Sequence, residues 1–191
     1  MPNIVERLAR KCVGIAGAGG LGSNCAAALT RAGVGKFVIA DFDRVSPSNL
    51  TRQFYFANQV GMIKVEALYD NLIKINPHSS AVIYRQRVTP ENMASLFGLC
   101  DVVVEAFDEA KEKAWFIEEM FRQLPDIPLV AASGLAGYGK LETLRVVRQG
   151  NLIVCGDGST AVTEEMPPLA PRVGIVACME ADVVLELLLE K

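Results

Sequence analysis

The sequence predicts a doubly wound α/β fold, a Rossmann-like sheet that is parallel in its N-terminal part and antiparallel in its C-terminal strands. Three observations predict it. A glycine-rich turn, Gly17-Ala18-Gly19-Gly20-Leu21-Gly22, joins a short apolar run to an alanine-rich segment. Apolar runs of strand length then alternate with segments of helical period. Finally, a β-branched, alternating stretch near residues 140–155 reads as a hairpin.

Taken in order, Cys12–Ala16 is an apolar run that meets the glycines and reads as the first strand. Ser23–Ala32 is a helix stopped by Gly33. Lys36–Ala40 is the second strand. Lys64–Ile75 places Val65, Leu68, Leu72 and Ile75 on one helical stripe, closed by Asn76-Pro77. Ala81–Arg87 reads as a third strand, and Pro90–Leu99 as a short helix with Thr89 as its cap. Asp101–Glu105 is a fourth strand, Ala110–Gln123 a helix ending before Pro125, and Pro128–Ala132 a fifth strand. Trp115, Phe116 and Phe121 sit within that helix and are expected in the core. Lys140–Arg148 and Asn151–Cys155 flank Gln149-Gly150 as the hairpin. Gly156–Pro171 has no periodicity; a loop of that length in a compact domain is more often functional than not. Val173–Leu189 closes the chain as an apolar helix. No repeat or linker divides residues 1–191, so one domain is expected.

Composition narrows the function classes. The chain has 191 residues, 51% hydrophobic and 21% charged, with positive mean hydropathy; it is expected to be globular. A formal charge of −3 gives no support to nucleic-acid binding. Met1–Arg10 is polar and charged rather than a secretory signal, and no apolar run would span a bilayer. A cytoplasmic protein is expected. The five cysteines include no Cys-x-x-Cys pair, and the single histidine, His78, follows Pro77. No structural zinc is expected. Cys12 and Cys100 read as reduced structural thiols.

The chemistry concentrates in three places. Gly17, Gly19 and Gly22 fit G-x-G-x-x-G between strand and helix. The first glycine permits the turn, the second lets phosphate approach the backbone, and the third lets the helix pack on the sheet. Asp41 ends the second strand at about the 20-residue spacing expected of a ribose-binding carboxylate; Asp43 is the neighbouring alternative. Next comes Ser48-Asn49-Leu50-Thr51-Arg52-Gln53. Arg52 carries a planar fork suited to phosphate oxygens or, alternatively, to a surface acid. Asn49 can orient a phosphate or hold a turn. Lys64 opens a helix, the unfavourable end for a cation unless an anion binds there. Asp108 follows the fourth strand, either as a Mg²⁺ ligand facing the crevice or as a helix N-cap; Glu105 is the alternative ligand.

These residues, with Gly61 and Ile75-Asn76-Pro77, resemble the E1-like activating enzymes in order and spacing. The resemblance runs from the glycine turn through Glu105-Ala106-Phe107-Asp108 to Ala170-Pro171-Arg172-Val173 and looks closest to the short ThiF type. It implies an adenylyltransferase that uses ATP and Mg²⁺ on the C-terminal carboxylate of a small ubiquitin-like sulfur carrier. The implied carrier is ThiS-like and belongs to thiamine biosynthesis. The resemblance also implies a homodimer and a cysteine desulfurase as sulfur donor. By position it assigns Gly20, Asp41, Ser48, Asn49, Arg52 and Lys64 to ATP and Asp108 to magnesium, with Arg52, Lys64 and Asp108 acting in catalysis. The chain departs from the pattern in several places. The first strand begins too soon for the family's whole N-terminal arginine-bearing helix, leaving Arg7 and Arg10 as substitutes. The zinc-binding cysteine pairs are absent, and Glu109 stands where Asn is common. Cys155 and Cys178 read as structural. A nicotinamide-dependent oxidoreductase and a non-catalytic binding subunit are the alternatives.

Overall fold

In a computed structural model of the chain, residues 3–190 are described. A short helix α1 (Ile4–Leu8) opens it. Asn3 caps this helix: its side chain accepts from Glu6 N at 2.9 Å, and the Glu6 carboxylate accepts from Asn3 N at 3.1 Å. There follow β1 (Cys12–Ala16), α2 (Gly20–Ala32), β2 (Lys36–Ala40), α3 (Lys64–Ile75), β3 (Ser80–Tyr84) and α4 (Met93–Phe97). The chain continues through β4 (Val102–Glu105), α5 (Ala110–Gln123), β5 (Leu129–Ala132), β6 (Arg145–Gln149), β7 (Leu152–Gly156) and α6 (Ala170–Leu189).

The strands form one sheet in the order β3-β2-β1-β4-β5-β7-β6. Every neighbouring pair is parallel except β6 with β7. The fold class is the expected one, with a refinement: β7 runs parallel to β5, so β6 at the edge is the strand that reverses. The strand order changes direction between β1 and β4, and that switch opens a crevice at the carboxyl ends.

Both faces of the sheet are covered, as a parallel sheet requires. Strand alternation shows how. Val102 and Val104 of β4 face the larger core, with Leu29 of α2, Leu68 of α3 and Val176 and Val184 of α6; Val103, between them, faces Phe97 of α4 and Phe116 and Met120 of α5. α2 ends at Gly33, whose φ of 106° supplies the left-handed cap.

Several element bounds differ from the sequence reading, for one main reason: strands stop where partners stop. β3 ends at Tyr84, opposite Ala40, the last residue of β2; Arg85–Arg87 leave the sheet. β6 begins at Arg145, opposite Gly156, so residues 140–144 are free to form a 3-10 turn at Leu141–Thr143. The short fourth helix is capped at Asn92 rather than Thr89; Thr89 N instead donates to Asn92 Oδ1 at 2.8 Å. Phe116 is buried as expected, but Phe121 is on the exposed side of α5. Cys25, Cys100 and Cys155 are buried and Cys12 is half-buried, with 4.0 Å between the Cys12 and Cys100 sulfurs. Cys178 is exposed on α6 and so is no part of the core.

Candidate functional site

A cavity of about 490 Å³ opens at the carboxyl ends of β1, β2 and β4. Each expected region contributes to its wall, and the local sequence explains why. Gly17, Gly19 and Gly20 line it at the β1–α2 turn. Gly17 has φ +99°, and a Cβ there would lie 2.9 Å from the Ala106 carbonyl oxygen. Gly22 stands off the wall; its Cβ would lie 1.9 Å from the Gly17 carbonyl oxygen. It serves the close packing expected of the third glycine.

Asp41 also lines the cavity. Its Oδ2 accepts from Ala18 N at 2.7 Å and its Oδ1 from Asp43 N at 2.7 Å. Burial raises its pKa, against these two donors and the Lys64 charge. Of the two neighbouring aspartates, Asp41 therefore holds the glycine turn, whereas Asp43 holds Lys64: the Lys64 ammonium donates to Asp43 Oδ2 at 2.8 Å. Both also line the cavity. Lys64 is buried at the first turn of α3, so its cation is fixed where the helix alone would disfavour it.

Arg52 lies beyond the 3-10 turn Pro47–Thr51. Its guanidinium reaches the Ser48 carbonyl at 3.3 Å and the Thr51 hydroxyl at 3.5 Å, long contacts that leave most of its donors free toward the cavity. Ser48 and Asn49 are off the wall. Asn49 Oδ1 accepts from Ser46 N at 3.0 Å, so its side chain secures the turn that delivers Arg52. A second anchor comes from α2: Asn24 Nδ2 donates to the Gly20 carbonyl at 2.6 Å and to the Arg52 carbonyl at 2.9 Å. The glycine turn and the Arg52 segment are thus tied by one amide.

Asp108 is exposed and lines the cavity. It is not the helix cap; that position is Glu109, which makes no side-chain capping bond. Glu105, the alternative metal ligand, is fully buried and already engaged. Both its oxygens accept from Lys113 Nζ at 3.0 Å, and Oε1 accepts from Phe107 N at 2.7 Å.

Sequence reasoning missed other wall residues. Gln86, Arg87 and Val88 enter from beyond β3, and Phe42 lies between the two aspartates. The Arg87 guanidinium sits 4.4 Å from the Phe42 ring centroid and pairs with Glu112 at 3.3 Å. Their one sequence signal was position, just past the ends of parallel strands. Tyr55 donates to the Ala18 carbonyl at 2.6 Å; burial and the two aspartates raise its pKa, keeping the hydroxyl protonated as a donor. Leu135, Val162, Pro168 and Val173 complete the wall from the C-terminal part.

The loop after β7 is anchored at its start. Asp157 accepts from Ser159 N at 2.8 Å, Thr160 N at 2.8 Å and the Thr160 hydroxyl at 2.5 Å. It also pairs with Arg172 at 2.8 Å, the two side chains each 4% exposed. Arg172 Nη1 donates to the Gly139 carbonyl at 2.6 Å. Burial pushes the Asp157 carboxyl up, but these donors outweigh it and hold its pKa well below the usual range.

The glycine turn, the carboxylate ending β2, a weakly held arginine, a fixed lysine and an exposed aspartate past β4 share one cavity. A family model described as "ThiF family" matches residues 2–191. The chain belongs to the ThiF family. The adenylyltransferase and sulfurtransferase UBA4 of Candida glabrata is 34% identical over 182 residues, covering 92% of this chain and 42% of that protein. Ubiquitin-like modifier-activating enzyme 5 of Caenorhabditis elegans is 42% identical over 87 residues, covering 46% of this chain and 21% of the other. The ThiF-family chain thus spans less than half the length of these curated relatives. Among solved structures, E. coli tRNA N6-threonylcarbamoyladenosine dehydratase, TcdA, in complex with ATP superposes with a TM-score of 0.87 at 22% identity, covering 98% of this chain and 89% of that one. E. coli MccB with ATP gives 0.74 at 21% identity, covering 97% and 57%. At such identities the likeness is one of fold, here that of ThiF-type proteins. No helix among the described residues is long and apolar enough to cross a membrane.

Proposed function

We propose that this chain is an ATP-dependent adenylyltransferase. Its substrate on this reading is the C-terminal glycine carboxylate of a small ubiquitin-like sulfur carrier, ThiS-like and belonging to thiamine biosynthesis. What supports the reading is the convergence of Arg52, Lys64 and an exposed Asp108 on the glycine-turn cavity. A hydride-transfer site needs the ribose-binding Asp41 but has no use for that set. UBA4 bears the name of an adenylyltransferase, and TcdA and MccB were each solved with ATP.

The chemistry follows from the side chains. The carrier carboxylate is already ionised near neutral pH and needs no general base. One of its oxygens bonds to the α-phosphorus as the bond to the bridging oxygen breaks, and pyrophosphate leaves with that electron pair. Negative charge gathers on the α-phosphate, and Arg52 and Lys64 stabilise it. Lys64 remains paired with Asp43, so it presents its remaining donors at a fixed angle. Asp41 keeps lone pairs for ribose hydroxyls. Asp108 would hold Mg²⁺, which binds through one or two carboxylates plus substrate phosphates. The exposed Asp108 carboxylate on the cavity wall fits that mode of binding. The ion would neutralise phosphate charge.

Residues 157–169 supply the carrier side. Val162 and Pro168 reach the cavity wall, so an extended tail lying under this loop would point its carboxylate toward the phosphates. Homodimerisation, a cysteine desulfurase as sulfur donor and a cytoplasmic location belong to the same proposal. Arg7 donates to the Leu189 carbonyl, so within the chain it braces α1 against α6, and Arg10 is the remaining candidate to serve a partner's site. The deciding experiment is ATP–pyrophosphate exchange with candidate carriers, with mass spectrometry of the carrier. A mass gain of one adenylyl group, AMP less one water, is expected; tight NAD binding without ATP binding would overturn the reading.

A further inference from the structure

The connection carrying Asp108 is held from inside the core. Glu105, the last residue of β4, is 0% exposed. Its carboxylate reaches forward to Phe107 N at 2.7 Å and takes both contacts of the Lys113 ammonium at 3.0 Å. Lys113 lies one turn into α5, so the ion pair closes a ring from the end of β4 to the first turn of α5, with Asp108 in the segment it spans. The Phe107 ring is seated as well. It stacks on Trp115 at 6.3 Å between centroids and meets Phe116 edge-on at 5.2 Å. The Ala106 carbonyl in turn abuts Gly17, which sets this connection directly against the glycine turn.

We infer that Lys113 is a positioning residue: by clamping Glu105, it fixes the Phe107 backbone and so aims the Asp108 carboxylate at the metal-bearing phosphates. This rests on the adenylyltransferase reading, in which Asp108 holds Mg²⁺. A second buried carboxyl, Glu180 of α6, is 0% exposed and neither of its oxygens has a hydrogen-bond partner among the described residues. Burial raises its pKa well above the ordinary value; the Lys113 charge opposes this and the Glu105 charge adds to it, with burial the larger effect. Kept neutral, it leaves the Lys113 cation to Glu105 alone. Lys113 is itself partly exposed and borders the cavity, so direct contact with nucleotide is the competing role, and the two roles separate in their metal dependence.

The test is calorimetric titration of the full chain with ATP, in EDTA and in excess Mg²⁺. The fluorescence of Trp115, the only tryptophan, reports on the Phe107 packing. Lys113→Met should weaken the Mg²⁺-dependent part of ATP affinity by about tenfold, as loss of a group supporting a metal ligand does, and leave ATP affinity in EDTA within about twofold. Lys113→Arg should restore the Mg²⁺ effect. The double change Glu105→Gln with Lys113→Met removes both charges while keeping an acceptor for Phe107 N. It should fold even if the single variant does not, and show the same selective loss. Equal losses with and without Mg²⁺ would make Lys113 a nucleotide contact and overturn the inference, as would an unchanged Mg²⁺ effect. If the unaltered protein binds no ATP, the functional reading falls and this inference with it; if it binds ATP normally and only the variants fail to respond, the inference falls alone.

Discussion

The two ends of the cavity are built differently. The nucleotide end, from Gly17 to Asp108, is held by many contacts to main-chain groups alongside the ion pairs Lys64–Asp43 and Glu105–Lys113. Gly17 needs its positive φ, Asp41 takes two main-chain N–H groups, and Asn24 spans two carbonyls. At the C-terminal end, the loop segments before β6 and after β7 are joined by the Gly137 N–H to the Pro167 carbonyl and by Arg172 to the Gly139 carbonyl, and Arg172 is itself held by a buried ion pair with Asp157. The first end distributes its stability over many satisfied groups. The second concentrates it in a few charges, so a single substitution should have a larger effect there.

The largest expected effect tests that concentration. Arg172→Ala strands the buried Asp157 carboxylate and frees the Gly139 carbonyl; the expected loss is about 3–5 kcal/mol, measured by chemical denaturation. Because the Asp157 pKa is lowered by folding, its contribution is present above the unfolded-state pKa and is lost as pH falls through the folded value. The variant's deficit should therefore be full at neutral pH and shrink in acid. A uniform deficit would show that packing, not charge, secures the loop.

At the nucleotide end the effects should be kinetic. Asp108→Ala should cut adenylation by about 10²–10³-fold, read by pyrophosphate exchange, with little change in melting temperature. Arg52→Ala should lower kcat by about 10²-fold with a smaller change in KM for ATP, because charge on the α-phosphate grows toward the transition state. A raised KM with unchanged kcat would mean that Arg52 holds ground and transition states alike.

The smallest effect lies in the core between the two ends. The Glu180 pKa is raised by folding, so its neutral form must be kept at a cost that begins above the unfolded-state pKa and grows with pH toward the folded value. Glu180→Gln should therefore raise the melting temperature by about 2–4 °C at pH 8 for each kcal/mol recovered, and by less near pH 5. Lys113 and Glu105 are the charged groups that bear on the site, the first lowering the Glu180 pKa and the second raising it, while burial keeps the neighbouring Cys25 and Cys155 thiols neutral. A constant gain across pH would point to packing instead.

The same difference decides what the sequence made legible. Gly17, Asp41 and Arg52 could be read because each is required by a local turn or by a strand end at fixed spacing. The residues left Asn49 open between orienting a phosphate and holding a turn, and the resemblance assigned it with Ser48 to ATP; the contact of Asn49 with the Ser46 backbone shows the turn-holding role. Phe42 and Arg87 were missed because their meeting depends on β3 lying beside β2. The Asp157–Arg172 pair and the Glu105–Lys113 clamp gave no signal: charged residues at such separations are ordinarily solvated, and only the tertiary fold buries them. The bounds of β3 and β6 were misjudged because the length of a strand is set by its partner, which one-dimensional pattern does not carry.

The strand order has a consequence for biosynthesis. β1 lies inside the sheet, next to its middle strand β4, whose residues 102–105 are made long after residues 12–16. While the ribosome works through the intervening stretch, β1 can pair with β2 but keeps its other edge open. Closing so distant a contact is slow, and an open apolar edge is exposed to wrong partners meanwhile. The nascent chain is therefore most vulnerable to aggregation before Val102–Glu105 emerge, and a pause placed after them would let the centre of the sheet close before the C-terminal hairpin and loop are added.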